Sequence, residues 1–178
     1  MTRRDYEEYR ALRATIRERG TTRVWVFVAG LVGWAALLIA TAALAALPIA
    51  ALLPLLVLLG VFEAVLAIHV GVERIGRYLQ VYFEDGHGWE HTAMAYGRAF
   101  PGGGSDPVFS FIFIGAAVLN FVPVLIAEPV AIEIAVVGFA HVLAIARVVA
   151  GRRMAAKTRA VDLERFEKLR ASAQADSR

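Results

Sequence analysis

Four long apolar runs dominate the chain, and the stretches between them are dense in charge. The first runs from Val24 to Leu47 with Thr41 as its one polar side chain, and the second from Ile49 to Val72, interrupted by Glu63 and His69. The third covers Val108 to Ala127 and the fourth Pro129 to Val149. Each reaches the roughly 20 residues that a helix needs to cross a ~30 Å hydrocarbon core. Helix is the form required, because backbone groups in lipid must find partners within their own segment. Two tight turns, near Pro48–Pro54 and at Glu128-Pro129, pair the runs into hairpins; proline suits such turns, having no N–H to leave unpaired. The pattern predicts an all-α fold: an integral membrane four-helix bundle of two transmembrane hairpins, with amphipathic cytoplasmic helices at both ends. As one polytopic domain it divides into a helix over 1–23, spans over 24–47 and 49–72, a loop over 73–107, spans over 108–127 and 129–149, and a helix and tail over 150–178.

The polar stretches carry their own periodicity. Tyr9, Leu12 and Ile16 fall at i, i+3 and i+7 within Asp5–Arg19, with arginines on the other sides. Such a helix suits the headgroup layer, apolar face down, or the surface of a partner helix. Gly20 is expected to end it before the membrane entry at Arg23. After the fourth span, 152–173 predicts a second helix with Val161, Phe166 and Leu169 as an imperfect apolar stripe and Glu164–Lys168 as an i,i+4 pair. In the central loop the second helix is expected to continue to about Phe83. Glu84-Asp85-Gly86-His87-Gly88-Trp89-Glu90-His91 follows, and then the flexible run Pro101-Gly102-Gly103-Gly104-Ser105-Asp106-Pro107. Trp89, Tyr96 and Phe100 are residue types that favour the headgroup level.

Charge sets the orientation. Seven arginines precede the first span, Arg74, Arg77 and Arg98 lie between the second and third, and a cluster from Arg152 to Arg178 follows the fourth; neither hairpin turn holds a Lys or Arg. The positive-inside rule therefore places both termini and the central loop in the cytoplasm. The net charge of +3 is explained by these flanks, which face a lipid bilayer rather than nucleic acid. A composition of 58% apolar residues agrees with a membrane chain, and the absence of cysteine removes disulfides, thiolate metal sites and cysteine nucleophiles. Abundant alanine, with Lys157 and Lys168 the only lysines, suggests a bacterium with a GC-rich genome, and so an inner membrane. A cleaved signal peptide is a poor reading, since the first apolar run exceeds a signal's usual 7–15 residues.

Three patterns bear on chemistry. His87, Glu90 and His91 match the H-x-x-E-H string of inverted zinc peptidases; on a helix the two histidines would share a face for a divalent metal, with Glu90 as base. A third ligand would have to come from Glu164 or Glu167, and a solvated acidic loop is the favoured reading. The triglycine run lacks the G-K-[ST] ending of a phosphate loop and reads as a hinge. Within the spans lie Glu63, His69, Asn120, Glu133 and His141. Ionisable groups in lipid cost several kcal/mol, so they are expected to face protein or a cavity. Spans two and four share the order Glu, His, Arg, which places His69 and His141 at a common depth. That pattern admits a haem held between the two histidines, a proton or cation path, or interhelical hydrogen bonds that fix packing; packing is favoured. His69, Glu73 and Arg77 also suggest an i,i+4 ladder. Small residues in the first span, Gly30, Gly33, Ala36, Ala40, Ala42 and Ala46, suggest close helix packing. The leading expectation is a non-enzymatic structural or accessory subunit, as a homo-oligomer or with other membrane subunits. The alternatives are a small homo-oligomeric ion or proton channel or transporter, and a haem-binding redox subunit.

Overall fold

A computed structural model describes residues 2–44, 47–84, 86–100 and 106–176, with the side chains of 106–108 excepted. Every regular element among them is helical: α1 Arg3–Leu44, a 3-10 turn at Pro48–Ala51, α2 Leu52–Tyr82, α3 Trp89–Ala99, α4 Asp106–Ile126 and α5 Ala131–Asp176. Four helices are long and apolar enough to cross a membrane, as a multi-pass membrane protein requires. Asp85 and the glycine run at 102–104 lie outside the described residues.

Two of the helices are longer than the sequence pattern implies. α1 does not stop at Gly20, and α5 does not stop at Gly151. At 1.5 Å per residue, 42 residues give α1 a length of about 63 Å, roughly twice a hydrocarbon core. Gly20 lacks the left-handed conformation that a glycine stop needs, which among the described glycines only Gly86 adopts, at φ 79°. A lone glycine in a helix interior costs only about 1 kcal/mol relative to alanine, too little to break a helix supported on both sides. The amphipathic segment at 5–19 is therefore not a separate element. Its Tyr9 ring packs on Phe83, with centroids 5.8 Å apart, so this face meets protein.

The chain forms two compact units, Val24–Leu66 with Ser105–Arg153, and Met1–Arg23 with Ala67–Gly104 and Met154–Arg178. In the first, Leu55, Leu58, Phe62, Phe113, Val124 and Val137 are buried. Phe113 meets Phe27 and Phe62 edge-on at 5.6 and 5.3 Å, the geometry that aromatic quadrupoles prefer. Gly30 lets α1 approach α2, because any Cβ there would overlap the side chain of Val61. Pro48 opens the 3-10 turn ahead of α2, and Glu128, at φ 49°, stands before Pro129 at the turn into α5. In the second unit Leu79 is fully buried, and Tyr78 and Tyr82 both stack against Phe166 of α5.

Candidate functional site

Within the apolar unit the polar side chains are spoken for. Asn120 is fully buried on α4. Its Oδ1 accepts from Trp34 Nε1 at 3.0 Å, and its Nδ2 donates to the Ala51 carbonyl at 2.8 Å and faces His141 Nε2 at 3.0 Å. His141 Nδ1 lies 2.7 Å from the Val137 carbonyl, so Nδ1 carries the proton and Nε2 accepts. Four segments (α1, the 3-10 turn, α4 and α5) are thus joined by one neutral, fully satisfied network. Glu63 is met by Arg147 at 2.7 Å, whose guanidinium also lies over the Phe62 ring at 5.9 Å. Glu133 occupies the third position of α5 and accepts the Val130 N–H at 3.0 Å, the return half of a capping box. It thus serves the N-terminal end of α5.

His69 and His141 belong to different units, and each is engaged within its own. Arg23 reaches His69 Nδ1 at 2.8 Å. Iron ligation through His141 Nε2 would require surrendering the Asn120 bond. Of the His69, Glu73 and Arg77 ladder, Glu73 pairs with Arg159 at 2.8 Å and Arg77 with Gln80 at 2.7 Å and Glu90 at 3.2 Å, while the Glu73 charge also acts on Arg77.

The charged unit is organised around two glutamates. Glu90 bridges Arg13 at 2.7 Å and Arg77 at 3.2 Å. Glu84 accepts the backbone N–H groups of Glu90 and His91 at 3.1 and 3.2 Å, the His91 ring at 3.1 Å and Arg13 at 3.3 Å. Its carboxylate therefore caps the N-terminus of α3 in place of a side chain at Gly88, satisfying amides that the helix itself leaves unpaired. Glycine is required at 88, because a Cβ would overlap the Glu84 carboxyl group, and Gly76 leaves room for Glu90 Oε2 only 2.8 Å from where its Cβ would stand.

The H-x-x-E-H string of His87, Glu90 and His91 straddles the start of α3. α3 begins only at Trp89, so His87 precedes the helix and shares no helical face with His91; Glu90 is buried in ion pairs instead of facing a metal. Glu167 lines the same open cleft as Glu84 and His91, a space of about 460 Å³ that Arg170 and Gln174 also border. Among the described residues, however, no three His, Asp or Glu side chains converge as a metal site.

Burial alone would push the Glu84 carboxyl upward, but the amide, imidazole and guanidinium donors outweigh it and hold it below the ordinary carboxylate range. A depressed folded-state pKa gives stabilisation that is complete above the unfolded value, here 4.5, and is lost as pH falls through the folded one. Hydrogen exchange of the α3 amides, corrected for intrinsic rate, is expected to accelerate below a pH of about 4. Exchange that stays flat into stronger acid would remove the cap from the account.

Compared with known protein families, with curated proteins and with solved structures, the chain matches none. Function must be argued from this geometry alone. The roles of Trp34 as a donor to Asn120 and of Glu84 as a helix cap are not named by the sequence pattern, yet both leave a trace in it. A tryptophan in a span needs an acceptor for its N–H when buried, and Asn120 is one of few candidates. Glu84 stands four residues ahead of Gly88, whose missing Cβ leaves the space that its carboxylate fills.

Proposed function

We propose that this chain is a non-enzymatic structural or accessory subunit of a bacterial inner-membrane assembly, with both termini in the cytoplasm, and that α1 is the helix by which it assembles. One observation carries the reading. In the most apolar stretch of α1 only 6% of residues are buried, against 39% for α2 and 28% for α4 and α5. Trp34 is the one buried residue of its 42. At about 100° per residue, Ala29, Gly33, Ala36, Ala40 and Ala43 fall within an arc of roughly 80° on α1. Ala29, Gly33, Ala36 and Ala43 are exposed, and nothing lies near Gly33. Backbones approach closely along such a face, and close approach is what drives helix association in lipid. The intramembrane polar groups support the same reading, since Glu63, Asn120, Glu133 and His141 are each engaged in pairing, packing or capping.

The chain has no cysteine, so a single Ala36→Cys gives a clean probe. In native membranes it should cross-link to a second chain, and Gly33→Ile should weaken that association about tenfold, or ~1.4 kcal/mol. Native mass in mild detergent separates a multiple of 19.3 kDa from a hetero-complex. A monomer that never cross-links through α1 would overturn the proposal.

A further inference from the structure

α3 is amphipathic in the reverse sense to an ordinary surface helix. Glu90 and His91 turn toward Arg13, Arg77 and Glu84, and Glu90 is buried. The aromatic residues turn outward: Trp89 is 69% exposed, Tyr96 59% and Phe100 60%. With about 3.6 residues per turn, these three lie within an arc of roughly 40°. The Tyr96 and Phe100 rings are 5.0 Å apart, so they form a continuous patch. Rotation cannot hide that patch, because it would break both ion pairs of Glu90 and uncap the helix at Glu84.

We infer that the aromatic face of α3 is seated in the headgroup–acyl boundary of the bilayer, with the ion-paired face holding it in that orientation. Covalent reach keeps it close to the membrane. Six residue steps separate Phe100 from Asp106, which opens α4, a helix apolar enough to span. Those steps extend over about 21 Å at most. The residue types fit the boundary: tryptophan and tyrosine concentrate there because each joins an apolar ring to a polar N–H or O–H. A folded protein is a poorer occupant. An 11-residue helix is about 16 Å long and 10 Å wide, a footprint of roughly 160 Å², far below the ~800 Å² per side of a stable interface.

Nitroxide labels on the full chain in phosphatidylethanolamine–phosphatidylglycerol liposomes test this. Ala93→Cys lies on the aromatic side and keeps all three rings; Tyr96→Cys repeats the measurement within the patch; Arg98→Cys lies opposite Trp89. The ratio of collision rates with oxygen to those with an aqueous nickel chelate should be several-fold higher at 93 and 96 than at 98. Free access of the nickel chelate to 93 and 96 would overturn the inference by placing the patch in water. Low access of both reagents there would also overturn it, by placing the patch against protein.

Discussion

Glu90→Ala is expected to loosen α3 and destabilise its unit by about 2–4 kcal/mol, the cost of stripping the partner from a buried charge pair, discounted for partial exposure. Arg77 is the reason for the size of the effect. Its side chain is only 5% exposed, and with Glu90 gone it keeps Gln80 as a neutral acceptor but loses its carboxylate. Arg13, 26% exposed, can recover some solvation and still reaches Glu84. Glu90→Gln should lie between wild type and Glu90→Ala, since an amide can accept from one guanidinium without neutralising either. Adding Arg77→Met to Glu90→Leu should recover part of the loss, because replacing both partners leaves no charge stranded. Asp162→Asn serves as a contrast: Asp162 is itself buried, but the Arg74 left without its carboxylate is 54% exposed and is taken up by solvent, so the loss should be smaller. Thermal unfolding in detergent and hydrogen exchange across α3 read all four. Wild-type exchange in α3 of Glu90→Ala would sink the idea that these ion pairs hold the helix.

The spans and hairpins were legible because they depend on a local property, some twenty consecutive apolar residues, that no distant contact can alter. Helix ends were less so. Gly20 reads as a stop by residue type, but a stop needs a left-handed turn or a competing cap, and Gly20 has neither. The Glu164–Lys168 pair was readable from spacing and forms at 2.6 Å. The pairs that organise the charged unit were not, since Arg13 meets Glu90 across 77 positions of sequence and nothing in either neighbourhood names the other. α3 was obscured for a related reason. Its buried face is charged and its exposed face aromatic, so a pattern search that sends apolar residues inward assigns it the wrong sides. Within the spans, reasoning from the cost of unpaired polar groups was the better guide. It required protein partners for Asn120 and His141 without naming them, and the two are partners of each other.

Asn120→Leu should have the largest effect of any change within the apolar unit. Leucine keeps the heavy-atom count and branching of asparagine, so the substitution removes the hydrogen bonds at the cost of some added volume. It removes three bonds at once and leaves the Trp34 N–H, the Ala51 carbonyl and His141 Nε2 without their partner. Interhelical hydrogen bonds in membrane proteins are worth roughly 0.6–1.7 kcal/mol each, so about 2–5 kcal/mol of stability is at stake. Trp34→Phe removes a single donor and spares the other two bonds; its cost should be near 1 kcal/mol. The order of the two variants matters more than either value, because it separates a structural network from a conducting one. If Asn120 and His141 serve packing, Asn120→Leu lowers the unfolding midpoint in detergent well below that of Trp34→Phe. If they instead line a proton path, Asn120→Leu leaves the midpoint near wild type and changes flux in liposomes. The tautomer of His141 favours the first outcome. With Nδ1 donating to the Val137 carbonyl 2.7 Å away and Nε2 accepting from Asn120, the ring is held from both sides, and passing a proton through it would break one of those bonds at every step.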